Sequence, residues 1–206
     1  MTRNVICISR ALAAGGEDIG QRVAETLGYR YADEEIIVRA AEQAGVPPET
    51  VEQAEHPPGL IARVLETIGR TPVEPEAWVA GAMLPSAPSA GYEGLIKQVI
   101  LETADEGDVV IVAHGASMAL AGRDGILRVL VTGSSAVRAQ HIASHTNVDV
   151  KDAAQAIDAS DRARRDYLRH FYQVRDELPT HYDLTINTDA IAPPAAAQII
   201  TDAAAS

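Results

Sequence analysis

The apolar run Val5-Ile6-Cys7-Ile8 leads straight into "SRALAAGGEDIG", residues 9–20, and from there into a helical pattern with Ile19, Val23 and Leu27 on one face. A short apolar run without alternation is the mark of a strand buried on both faces. A strand, a glycine turn and a helix form the first part of a unit whose next strand lies parallel to the first. The succession returns down the chain. Residues 29–31 read as a brief second strand, and 34–44 as a helix stopped by Gly45 and Pro47-Pro48. Residues 92–106 read as a helix, 108–113 as the strongest strand, 126–132 as another strand, 136–144 as a helix and 150–171 as a long helix. A last strand is expected over 182–187, then an Ala-rich helix after Pro193-Pro194. This alternation predicts an α/β fold: three αβα layers around a parallel five-stranded sheet. Ligands on such sheets sit at the carboxyl ends of the strands, so the loops after Ser9, Ala113 and Thr132 are expected to face a site.

With 206 residues the chain is expected to be one domain. Residues 49–68 look helical, broken at His56-Pro57-Pro58-Gly59. Residues 69–91 hold Pro72, Pro75, Pro85, Pro88 and the lone Trp78, and 46–91 as a whole reads as an inserted helical region. Trp78 would anchor it to the body or to a second subunit, which leaves a homodimer open. A net charge of −12 argues against a nucleic-acid polymer as partner, though a local basic pocket for one anion remains compatible. No apolar run approaches the roughly 20 residues that span a bilayer. Cys7, the only cysteine, reads as a small buried hydrophobe in a reducing compartment. These features together predict a soluble cytoplasmic protein.

A P-loop is Gly-x-x-x-x-Gly-Lys-[Ser/Thr], whose amides wrap phosphate at a helix N-terminus. Here Gly15 takes the second glycine, but Arg10 falls on the first, Gly16 on the lysine and Glu17 on the hydroxyl position. Taken alone, the stretch is equally a plain strand-to-helix turn, with Gly15-Gly16 supplying positive φ and Glu17 and Asp18 favouring the helix N-terminus. The acidic pair also repels phosphate unless Mg²⁺ lies between. A dinucleotide-binding turn fits less well. Asp33 stands at a suitable distance after the second strand, but Gly-x-Gly-x-x-Gly is absent.

Several stretches in order resemble the cytidylate kinase-like family of P-loop proteins. Ile8-Ser9-Arg10, then Ala13-Ala14-Gly15-Gly16, then Ile19 match the family's opening Ile-Ser-Arg, Gly-Ser-Gly-Gly-type loop and isoleucine-led helix. Absence of the lysine is part of that resemblance, while Ala13 and Ala14 depart from its usual Gly-Ser. "YADEEIIVRAA" resembles an acceptor-binding stretch in which Asp33 falls on the family's aspartate and Arg39 on the arginine that faces the acceptor monophosphate. In "VVIVAHGA", His114 stands where the family has an acceptor-binding arginine. In "TGSSAVRAQHI", Arg138 would stand beside the donor base. "DRARRDYLRHFY" resembles an arginine-bearing lid helix within a lid region spanning 150–181, and "YDLTINTD" the last strand and its turn.

The resemblance implies phosphoryl transfer from ATP with Mg²⁺ to CMP or another small phosphorylated acceptor. Such transfer is mostly positioning and charge stabilisation, so cations must converge and water must be excluded. Arg162, Arg165 and Arg169 lie on one helical face, and Arg164 matches a lid arginine of the resembled family. The alternative is a solvated face paired to Asp158, Asp161 and Asp166. Arg39 is equally suited to pair Glu35 or Glu42, and Asp33 to cap the next helix. Arg10 would supply the charge the missing lysine does not, and Glu17 or Asp18 would meet Mg²⁺. A catalytically silent nucleotide sensor or assembly module is the second function class these departures leave standing, and a purely structural dimer is the third.

Overall fold

A computed structural model describes residues 3–55, 90–146 and 148–206. The expected helix beyond residue 55, most of the Pro-rich region and Trp78 lie outside the described residues. The elements are β1 (Val5–Arg10), α1 (Gly16–Leu27), β2 (Arg30–Ala32), α2 (Glu34–Ala44), α3 (Pro48–Glu55) and α4 (Ala90–Glu106). They continue with β3 (Val109–Val112), α5 (Ala116–Ala119), β4 (Ile126–Thr132), α6 (Ser135–His145) and α7 (Val150–Tyr172). A 3₁₀ turn (Pro179–His181), β5 (Leu184–Asn187) and α8 (Pro193–Ala204) complete the chain.

The five strands pair in parallel in the order β2-β3-β1-β4-β5. Because β3, not β2, lies beside β1, this is not the dinucleotide-binding order, in which the second strand neighbours the first. Side chains alternate across the sheet. Val5 and Cys7 of β1 enter a core with Ile36, Ala40, Ile96 and Ile100 of α2 and α4. Ile6 and Ile8 face the other way, onto Ile19 and Val23 of α1 and Ala196 and Ile200 of α8. Burial on both faces is why these strands read as unbroken apolar runs. A third, smaller cluster joins Ala139 and Ile142 of α6 to Ala153 and Ile157 of α7, and carries Leu12 and Ala13 of the glycine loop on it. Cys7 is wholly buried, and its thiol is pushed up to about 12: burial dominates, and the Arg128 charge opposes it. Among the described residues no helix is long and apolar enough to cross a membrane.

Boundaries moved where the site begins. β1 runs one residue beyond the expected strand, so Arg10 pairs with Val131 and stands at the carboxyl lip of the sheet. Of the two glycines expected to have positive φ, only Gly15 does, at 77°; Ala13, at 61°, takes the other left-handed position. Gly16 is needed for a different reason. A Cβ there would meet the Arg10 Cβ at 2.5 Å. The last strand begins at Leu184, because Tyr182 closes the 3₁₀ turn; that turn and the one-turn α5 carried no sequence signal.

Candidate active site at the carboxyl edge of the sheet

The loop between β1 and α1 is shaped from outside by basic side chains. Arg164 Nη1 donates to the Arg10 carbonyl at 3.2 Å, Arg138 Nη1 to the Leu12 carbonyl at 3.2 Å, and His141 Nδ1 to the Ala13 carbonyl at 3.4 Å. Inside the turn, Ala14 N–H donates to the Ala11 carbonyl at 3.1 Å. The first-turn N–H groups of Gly16, Glu17 and Asp18 have no acceptor within α1, and Gly15 at the N-cap offers no side chain to cap them. The loop therefore has its carbonyls tied outward and a helix N-terminus open, the arrangement that suits an anion.

Arg10 supplies a cation at the lip. Its Nε lies 2.5 Å from Glu17 Oε1, yet that buried N–H has no hydrogen-bond acceptor among the described residues. The pair is a charge contact rather than a formed hydrogen bond. Asp18 is turned away, held by Arg22 Nε at 3.0 Å from both carboxylate oxygens. Glu17 is thus the carboxylate left at the loop. Mg²⁺ is commonly held by one or two carboxylates together with phosphate oxygens, and a single glutamate fits that use. Among the described residues no cluster of three metal-ligating side chains is assembled.

At the ends of β2 and β3, Asp33 and His114 come together. His114 Nε2 lies 3.0 Å from the Asp33 carbonyl and 3.3 Å from its Oδ1. Both partners only accept, so Nε2 carries the proton. Tyr31 donates its hydroxyl to Asp33 Oδ2 at 3.3 Å. Burial alone would raise the Asp33 carboxyl; the His114 hydrogen bond and charge, with the Arg10 charge, outweigh it and hold it below the usual range. Asp33 occupies the N-cap position of α2, but its side chain makes no capping bond. Arg39 is not brought to this pair. It bonds Thr103 Oγ1 at 3.1 Å and Glu106 Oε1 at 3.1 Å, with Glu35 and Glu102 further off, on the seam between α2 and α4.

The arginines of the long helix divide. Arg162, Arg165 and Arg169 are exposed and pair with no described residue. Asp161, one of their expected partners, instead grips Arg138 with both oxygens, at 3.0 and 2.6 Å. Arg138 is buried and also bonds the Gly133 carbonyl at 3.0 Å, so its guanidinium lies beneath the loop. Arg164 turns inward to Glu177, at 2.8 and 2.6 Å, and Glu177 accepts from Tyr182. Sequence reasoning missed His141, Glu177 and Tyr182, for which no local pattern exists.

Burial would raise the Glu177 carboxyl, but the Arg164 hydrogen bond and charge, and the Tyr182 hydroxyl, hold it below its usual range. A lowered folded value stabilises the protein above the unfolded carboxylate value of about 4.3, and that stabilisation is lost as pH falls through the folded value. Glu177→Gln is therefore expected to be clearly less stable than the parent at about pH 7, with the gap closing below about pH 4 in urea unfolding. A gap that stays constant over that range would remove the ion pair as its cause.

A model of the cytidylate kinase-like family matches residues 5–190. The chain belongs to the cytidylate kinase-like family. No curated protein matches it. Among solved structures, an uncharacterized protein from Eubacterium ventriosum is similar at TM-score 0.64 and 15% identity, covering 98% of each chain. Shikimate kinase from Bacteroides thetaiotaomicron is similar at TM-score 0.53 and 15% identity, over 97% of this chain and 96% of its own. A gluconokinase from Sinorhizobium meliloti follows at TM-score 0.51 and 14% identity, over 99% and 90%. At such identities these structures speak to the fold alone, and the fold they share with this chain is that of P-loop kinases.

Proposed function

We propose that this cytidylate kinase-like protein is an ATP- and Mg²⁺-dependent small-molecule phosphotransferase. The observation that carries the proposal is Arg10: a guanidinium at the lip of a lysine-free loop, with a buried N–H that no described residue accepts. When bound, the ATP–Mg²⁺ pair supplies the phosphoryl group. The chain contributes the open amides of α1, the Arg10 charge and the Glu17 carboxylate for the metal. Arg162, Arg165 and Arg169, exposed on α7, are the cations available to a lid. Arg138 and Arg164 shape the loop rather than touch the donor. Asp33 and His114 face the acceptor, while Arg39 joins them only if its acidic partners release it. The buried Cys7 suits the cytoplasm.

One observation favours a second reading, a nucleotide sensor without turnover. Glu17 already balances Arg10, and neither a lysine nor a P-loop hydroxyl stands in the loop. The test is calorimetry with ATP and ADP, with and without Mg²⁺, followed by a coupled ADP-release assay. The acceptor panel holds CMP, dCMP and UMP, and also shikimate and gluconate, for which similar structures are named. Acceptor-dependent ADP release supports the transferase, binding without release supports the sensor, and no binding at all overturns both.

A further inference from the structure

Three consecutive residues after β3, Ala113, His114 and Gly115, have left-handed backbone, with φ of 68°, 53° and 66°. A single non-glycine residue there is uncommon, and such conformations persist only where the surroundings impose them. Ala113 N–H donates to the Ile8 carbonyl at 3.0 Å, and the Ala113 carbonyl accepts from Ala116 N–H at 3.1 Å. Between these two anchors, the His114 carbonyl accepts two phenol hydroxyls from α7, Tyr167 at 3.2 Å and Tyr172 at 3.4 Å. The Tyr172 ring also occupies the space a side chain at position 115 would take, since a Cβ there would come within 2.5 Å of it. The two rings meet edge-on at 6.0 Å, and Tyr167 packs on Phe171 at 4.6 Å.

The geometry points to Tyr167 and Tyr172 as positioning residues. By fixing the His114 carbonyl they hold the turn in its left-handed form, and that form sets the direction from which the His114 ring meets Asp33. Helix α7 carries Arg162, Arg165 and Arg169 as well. Seating of the lid helix and alignment of the Asp33–His114 pair are thereby one event, and a loosened α7 leaves the acceptor side misaligned. The coupling rests on the proposed transferase only in its kinetic consequence; the positioning itself does not.

The test uses Tyr167→Phe, Tyr172→Phe and the double variant, each losing a hydroxyl and keeping its ring. Tyr29→Phe is the control, because its hydroxyl donates to the Arg3 carbonyl at 3.3 Å, away from the turn. Long-range ¹H–¹⁵N spectra at fixed pH report the His114 ring, assigned with His114→Gln, and Asp33→Asn marks the signal of the pair without its carboxylate charge, the Asp33 carbonyl still accepting. The expected result is a His114 signal displaced towards that of Asp33→Asn in each single variant and further in the double, with the control unmoved. If the double variant does not fold, the single variants decide. In a turnover assay the acceptor KM is expected to rise about three- to tenfold, and by more than the ATP KM. A fall in Tm with the His114 signal in place would make the tyrosines mere packing and overturn the inference. Absence of turnover with any acceptor would instead count against the transferase, since the ring spectra answer separately.

Discussion

Replacing Asp161 by alanine is expected to lower the melting temperature by roughly 6–20 °C in scanning calorimetry. The reason is the arginine it leaves behind. Arg138 is 4% exposed, and both of its terminal nitrogens are matched by the two oxygens of Asp161. Removing one member of a buried ion pair costs about 3–5 kcal/mol, because the other charge stays buried without compensation. For a chain of this size each kcal/mol shifts Tm by about 2–4 °C. The carbonyls of Leu12 and Gly133 still accept from Arg138, which favours the lower half of that range. Arg138→Met should cost less, since Asp161 is nearer solvent and can hydrate. Arg138→Met with Asp161→Leu should recover much of the loss, as paired apolar replacements of buried ion pairs do. A change under about 2 °C for Asp161→Ala would show that the guanidinium reaches water once its partner is gone. The same variant should also weaken nucleotide binding, because Arg138 ties down the Leu12 carbonyl within the loop.

The layers of the fold were legible because burial writes itself into local sequence. Val5-Ile6-Cys7-Ile8 and Val109-Val110-Ile111-Val112 are strands covered on both faces, and nothing polar interrupts them. The glycine stop at Gly45 ended its helix as expected, in the left-handed conformation that Gly28 also takes at the end of α1. The site was legible only in part. Asp33 and His114 were both marked, yet their meeting depends on β3 lying between β1 and β2, which no spacing in the chain encodes. The arginine cluster of α7 was visible, but not how it would divide. Arg164 turns inward because Glu177, thirteen residues on and beyond the helix, waits for it. Arg138 is claimed by Asp161 across the α6–α7 contact. Partner choice among charged side chains is a property of tertiary geometry, and a sequence shows only the candidates.

Exchange of Arg10 for alanine is expected to weaken ATP binding about 10- to 150-fold with little change in Tm. Hydrogen bonds to charged groups contribute about 1.5–3 kcal/mol each, which sets that range. The fold should tolerate the change. Arg10 ends β1, its side chain is 27% exposed, and its backbone bonds to β4 do not depend on the guanidinium. The carbonyl that Arg164 grips is likewise kept. Arg10→Lys should restore part of the affinity, since a point charge returns without the planar fork. Glu17→Gln separates two roles. Losing the carboxylate frees Arg10, so binding of ATP without Mg²⁺ should tighten, while the gain from adding Mg²⁺ should shrink. If Glu17 served only the helix N-terminus, the variant would leave the Mg²⁺ dependence as it was. If ATP affinity survives in Arg10→Ala, the open amides of α1 suffice for binding, and the charge for transfer must come from Arg162, Arg165 and Arg169. Isothermal calorimetry on the four proteins, with and without Mg²⁺, decides between these outcomes. It also bears on turnover, because a cation already balanced by its own carboxylate can stabilise a transferring phosphoryl group only after that carboxylate has found another partner.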